Sequence, residues 1–390
     1  MPRSRKKRLK GFYWIIAAAL LVAGGAGWIW WISRKPAAPA PKRGSASGGP
    51  VVQRMVRVQP PSLPKEPTNM TARVQPAPPP APLPSPPPPP PPVTTNFAPI
   101  PPAAFPRPVQ TLLEAQVALA RRAISPGSLD GLIGTQTRAA LRAFQAKEQL
   151  AITGELDEPT EERLRLASPL CTNYTVTSND LARLQPLSPT WLGKSQQTAL
   201  DYETILELIA EKGWAHPNLI RRLNPSINWT GVEAGTVVQL PDVAYGDPPA
   251  KAAFARISLS GKSLEAFDPK TNLLVHFPCS IAQRVEKRPI GELHVAVIAP
   301  NPNYTFDPDV FPESEEARRL NTKLVLPPGP NNPVGVAWIG LDKPGYGIHG
   351  TPSPEQVGRT ESHGCFRLAN WNAEYLVKLV WIGMPVYIEP

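Results

Sequence analysis

The chain has 390 residues, enough for two to four folded units, and it carries 53 prolines and a formal net charge of +10. A basic balance of that size raises nucleic acid as a partner, but the placement of the charge excludes it. Of 41 basic and 31 acidic residues, 15 and 1 lie before Gln110, so the remainder is slightly acidic and carries no basic footprint.

Residues 1–10 form a basic tail, with Arg3, Arg5, Lys6, Lys7, Arg8 and Lys10. Residues 11–32 are an apolar run of about 22 residues, long enough to cross a bilayer. Tyr13 and Trp14 stand at one end and Trp28, Trp30 and Trp31 at the other, where interfacial aromatics belong. The run is long for a signal-peptide core, and no small-x-small cleavage site directly follows it. The expectation is therefore a single-pass anchor in the inner (cytoplasmic) membrane. The positive-inside rule keeps the tail in the cytoplasm and places everything after it on the periplasmic or outer side.

Residues 33–108 hold about half of the 53 prolines, including an unbroken run from Pro86 to Pro92. Such a segment cannot bury a core and reads as a disordered, partly polyproline II linker. At about 3.1 Å per residue it would reach on the order of 200 Å when extended.

Residues 109–168 read as a small all-α domain. Leu112, Leu113, Ala115, Val117, Ala118 and Leu119 give a helical stripe. Thr135 is placed to cap a second helix over 136–148, and Pro159 to start a third. Asp130-Gly131, Gly134, Thr137, Phe144-Gln145 and Gly154 resemble the helical peptidoglycan-binding domain. Residues 172–243 read as strand, helix, helix, strand. The strands are Tyr174-Thr175-Val176 and 236–241, with helical spacing over 202–213 and a second helix ending before Pro225. This order resembles a small α+β LysM carbohydrate-binding module, although the stretch around 186–195 departs from the compact pattern. From residue 252 onward the pattern is mainly β. Strands are expected at 254–259, 264–267, 273–277, 294–298 and 385–388, with a helix near 371–380. A long insertion over 300–333 is placed to act as a lid.

The chemistry concentrates in Ser362-His363-Gly364-Cys365-Phe366-Arg367, with His349-Gly350-Thr351 upstream. A thiol attacks only as thiolate, and a free cysteine has a pKa of about 8.5, so it needs an acceptor for its proton. His349 and His363 both qualify, and spacing alone does not choose between them. A metal site is the competing reading. No CxxC or HExxH is present, and the one HxxC pair, His276 and Cys279, sits in an apolar run. Cys171 and Cys279 could pair outside the membrane and leave Cys365 free.

These motifs, together with 287–293, 326–335 and Tyr346-Gly347-Ile348-His349, resemble the L,D-transpeptidase catalytic domain over residues 252–390. The resemblance implies that Cys365 is the nucleophile and that His349 is the base, held by the backbone carbonyl of Gly350. It implies that Ser362, His363, Gly364 and Arg367 shape the site or bind the donor. The implied activity cross-links peptidoglycan stem peptides through a cysteine acyl-enzyme, with no cofactor or metal. The alternatives are attachment of a lipoprotein to peptidoglycan, L,D-carboxypeptidase activity, and a catalytically inactive wall-binding anchor. Partners are thus peptidoglycan peptide and glycan and the membrane, not nucleic acid.

Overall fold

The computed structural model describes residues 104–311, 314–359, 362 and 364–390. The expected membrane helix at 11–32, nearly all of the proline-rich stretch, and His363 lie outside the described residues. Among the described residues no helix is long and apolar enough to cross a membrane.

The first domain is three helices: α1 (Leu112–Ala120), α2 (Thr135–Lys147) and α3 (Glu158–Arg163). Strands β1 (Arg107–Pro108) and β2 (Arg165–Leu166) pair antiparallel and tie its ends together. Thr111 caps α1 by accepting from the Glu114 N–H. Thr135 does not cap α2; it is the first helical residue, and extended Gly134 takes the cap position without a side-chain bond. Two buried glutamines hold the turns that sequence marked by glycine. Gln116 accepts from the Asp130 and Gly131 N–H groups at 3.1 and 2.8 Å. Gln145 accepts from Gly154 at 2.8 Å and donates to Thr153, Glu155 and Thr160. Both glycines adopt positive φ, +74° and +73°, which a side chain would resist.

The second domain is an antiparallel pair, β3 (Cys171–Thr175) and β4 (Val237–Pro241), joined through α4 (Ser178–Ala182), α5 (Trp191–Ser195), α6 (Ile205–Lys212) and α7 (Pro217–Leu223). A reciprocal capping box, Thr204 with Glu207, starts α6. The short helix α5 is what the irregular stretch around 186–195 becomes. The first two domains share one core, in which Leu119, Leu141 and Phe144 pack in the same cluster as Leu208, Ile209 and Leu240. Backbone bonds Leu129 N to Trp214 O and His216 N to Leu129 O, both 2.9 Å, stitch them further.

The third domain is built on an eight-stranded sheet. Its strands are β5 (Phe254–Ser258), β6 (Ser263–Phe267), β7 (Leu273–Pro278), β8 (Gly291–Pro300), β11 (Ala337–Leu341), β12 (Gly347–His349), β13 (Phe366–Arg367) and β14 (Pro385–Glu389). They lie in the order β13-β12-β11-β8-β14-β5-β6-β7. The β12–β13 and β14–β5 pairs are parallel, and the rest are antiparallel. The sheet curls until its edges meet. Just beyond β7, Ser280 exchanges both backbone bonds with Arg367 on β13, at 2.9 and 3.0 Å. Helix α9 (Asn370–Leu379) fills the curl, with Ala373, Leu376 and Leu379 in one cluster with Ile339, Ile348 and Phe366.

The 300–333 segment is not a bare loop. It forms the antiparallel pair β9 (Tyr304–Phe306) and β10 (Leu324–Leu326), with α8 (Glu315–Leu320) between them. These elements close a small core of Phe306, Ala317 and Leu326 together with Leu200 of the second domain.

All three cysteines are free, so the pairing of Cys171 with Cys279 does not occur. The two residues belong to different domains. Cys171 lies half-buried on β3, whereas Cys279 is sealed in the core of the third domain, where its thiol donates to Ser280 O at 3.4 Å.

Candidate active site

Strands β12 and β13 place the imidazole of His349 and the thiol of Cys365. Their parallel register pairs Ile348 with Phe366 and His349 with Arg367. Cys365 therefore stands immediately before β13, level with Gly347. Alternation along each strand puts Cys365, Arg367 and His349 on one face of the sheet. Cys365 and His349 both line a cavity of about 620 Å³, together with Trp338, Tyr346, Gly364 and Arg367.

His349 is 6% exposed, and its Nδ1 lies 2.6 Å from the carbonyl oxygen of Gly350. A carbonyl only accepts, so Nδ1 carries the hydrogen and Nε2 keeps a lone pair for a proton. The indole of Trp338, the cross-strand partner of His349, stacks on the imidazole at 5.6 Å between centroids. Burial pushes the imidazole pKa down to about 4; the Gly350 carbonyl opposes this, and the charge of Arg367 adds to it.

Cys365 is half-buried, and its thiol donates to the carbonyl of Gly345 at 3.6 Å. Burial raises its pKa, and the Gly347 N–H and the Arg367 guanidinium pull the other way. At neutral pH the resting pair is thus a neutral thiol and a neutral imidazole rather than a preformed ion pair.

The neighbouring residues divide by task. The Ser362 hydroxyl donates to the Cys365 carbonyl at 2.5 Å and accepts from Gly364 N at 3.3 Å, so it staples the turn that carries the thiol. A side chain added at Gly364 would meet nothing within 4 Å, so this glycine leaves the approach to Cys365 open. Gly350 is required for a different reason: a Cβ there would collide with Oδ1 of Asn370. Arg367 is half-buried on the cavity wall, where burial lowers its pKa and the two thiols, Cys279 and Cys365, hold it up. His276, half of the HxxC pair, is buried with Nδ1 3.1 Å from Glu265 Oε1, within hydrogen-bond distance.

Asn370 is the residue that motif reading passed over. It is 1% exposed at the start of α9. Its Oδ1 accepts from Thr351 N at 3.0 Å and Val336 N at 3.3 Å. Its Nδ2 donates to Pro330 O at 3.2 Å and to Glu211 Oε1 on α6 at 3.1 Å. One amide thereby fixes the loop after His349, the 330–336 segment and the second domain together. The available signal was an amide directly after Leu368 and Ala369, where an apolar residue would have filled the core more cheaply.

Residues 253–388 match the family model described as the L,D-transpeptidase catalytic domain. The third domain is similar to the L,D-transpeptidase catalytic domain over nearly its whole length. Residues 110–164, the first domain, match the model of a peptidoglycan binding domain. Among similar proteins, the one from Bacillus licheniformis that carries the name L,D-transpeptidase YkuD is 27% identical over 186 residues, covering 47% of this chain and 93% of that protein. YkuD of Bacillus subtilis is 25% identical over 166 residues, 43% of this chain and 82% of that protein. YqjB of Bacillus subtilis, also named an L,D-transpeptidase, is 35% identical over 105 residues, 26% of this chain and 51% of that protein. The matched region thus accounts for roughly the last third of the chain, and it contains both His349 and Cys365.

Proposed function

We propose that this chain cross-links peptidoglycan by acyl transfer through Cys365, with His349 as the proton acceptor. The observation that carries the reading is the commitment of His349 Nδ1 to the Gly350 carbonyl, which leaves Nε2 basic, on the same sheet face and in the same cavity as the thiol. As the sulfur attacks the donor carbonyl, its proton passes to Nε2. The tetrahedral carbon expels the D-amino acid, whose nitrogen takes that proton, and a thioester remains. An amine of a second stem peptide attacks the thioester, gives its proton to His349 and releases the sulfur. Attack by water in its place is carboxypeptidase turnover.

The backbone N–H of Gly347 and the guanidinium of Arg367 both favour negative charge near the sulfur. Losing donors of this kind in other acyl-transfer sites costs roughly 3–4 kcal/mol of barrier. Mass spectrometry of stem peptides incubated with the protein tests the reading. The wild type should yield a thioester adduct on Cys365 and a cross-linked dimer, and Cys365→Ala neither. A dimer formed by Cys365→Ala would end it.

The second domain, two paired strands joined through helices α4 to α7, supports a LysM-like role in glycan binding, tested by sedimentation of the protein with purified sacculi. The basic tail and apolar run at 1–32 support a membrane anchor with the catalytic domain on the periplasmic side, tested by fractionation and external protease.

A further inference from the structure

The transpeptidase cavity is not lined by the catalytic domain alone. Trp191 and Lys194 of α5, in the second domain, form part of its wall. Helix α5 is held there by three independent contacts. Glu316 on α8 accepts from the N–H groups of Trp191 and Leu192 at 3.0 and 3.1 Å. The Trp191 ring stacks on Phe306 at 4.5 Å and 18°, and lies 5.5 Å from Phe311. Lys194 in turn sits with its ammonium 5.7 Å from the centroid of the Trp191 ring. The lysine therefore rides on an anchored indole rather than on a free surface loop.

Among the described residues the charge of the wall is one-sided. Among the described residues that line the cavity there are three cations, Lys194, Lys287 and Arg367, and no carboxylate. Arg367 sits beside the reacting sulfur, but Lys194 and Lys287 come from elements outside the catalytic motif: α5, and the short 3-10 turn Val285–Lys287. Among the described residues neither lysine has an acidic partner within ion-pair distance. The two ammonium groups favour an anionic ligand in the cavity they line.

Resting on the acyl-transfer reading, we propose that Lys194 and Lys287 form a carboxylate subsite, so that the second domain selects acidic peptide stems over amidated ones. The irregular stretch that distinguishes this domain from a compact carbohydrate-binding module thereby becomes a specificity element of the enzyme. Lys194 is a binding residue in this account, and Cys365 keeps its chemistry without it.

Two measurements on the full-length protein test the subsite. The first compares alkylation of Cys365 by anionic iodoacetate and neutral iodoacetamide, read at the Cys365 peptide by mass spectrometry. Lys194→Met and the double variant with Lys287→Met should lower the iodoacetate-to-iodoacetamide rate ratio several-fold, and Lys194→Arg should restore it. The second compares a tetrapeptide donor with copies amidated at the C-terminus or at the side-chain carboxylates. Lys194→Met should raise KM about tenfold for the acidic donor with kcat unchanged, and should abolish the preference over one of the amides, which identifies the carboxylate bound. Unaltered ratios in both measurements overturn the subsite while leaving the nucleophile in place. A wild-type Cys365 that neither reagent labels overturns the acyl-transfer reading, and the subsite with it.

Discussion

Replacing Glu211 by glutamine should make this protein more stable in base and flatten its dependence on pH. Glu211 lies on α6 of the second domain, half-buried, and accepts from Asn370 Nδ2 at 3.1 Å. Burial raises its pKa from 4.5 to about 8; the Asn370 bond opposes the rise, and the carboxylates of Glu207 and Glu374 add to it while Arg183 opposes it. A carboxyl whose folded pKa exceeds its unfolded one binds more protons when folded. Its penalty is therefore absent below about pH 4.5, grows as pH rises, and is complete above about pH 8. At about 1.4 kcal/mol per tenfold change in proton affinity the full penalty approaches 4–5 kcal/mol, and partial contact with water trims it to about 2–4 kcal/mol. Glutamine keeps the oxygen that Asn370 needs and removes the charge. Urea denaturation at pH 5, 7 and 9 should show the wild type losing about 2–4 kcal/mol across the series while Glu211→Gln loses much less. Parallel stability curves for the two proteins would refute the argument.

Four further outcomes follow from the same geometry. Because burial holds His349 near a pKa of 4, kcat/KM should persist down to about pH 5 and fall only below it, unlike a site governed by an ordinary imidazole near 6.5. The same depression means that the folded protein binds fewer protons than the unfolded chain between these values. His349→Gln should therefore remove a loss of stability that sets in below about pH 6.5, seen as a shallower fall in Tm on the acid side. Asn370→Ala strands two buried N–H donors, a carbonyl and a carboxylate; at about 1–3 kcal/mol for each group left unsatisfied, stability should drop by at least 3 kcal/mol, measured by denaturation, and kcat should fall with it. Gly350→Ala, which drives a methyl into the Asn370 amide, should cost about 1–3 kcal/mol and most of the activity, read by the same two assays.

Much of this was legible before folding was considered. Period-two alternation located the strands that became β5, β6, β7, β8 and β14, and apolar spacing located α1, α6 and α9, because both patterns report which face must leave water. The thiol and the imidazole were legible as a pair because few chemistries use cysteine, histidine and glycine in that arrangement. The choice between His349 and His363 was not legible from spacing, since side chains two apart on a strand share a face, which keeps His363 in play beside His349. The Thr135 cap failed because a threonine signals a cap only where the backbone leaves the helix, and here the chain leaves one residue earlier, at Gly134.

What the amino-acid order determined by itself was local: the strongly periodic helices and strands, the glycine turns between them, and the thiol and imidazoles of one motif. Tertiary structure alone decided what those side chains experience. The meeting of β13 with the chain beyond β7, the stacking of Trp338 on His349, and the amide of Asn370 joined to Glu211 all bring together residues far apart in the chain. Burial then moves the imidazole down and the thiol up. The depth of a group and the sign of its neighbours' charge are properties of packing, and packing between distant segments leaves no periodic mark in a sequence.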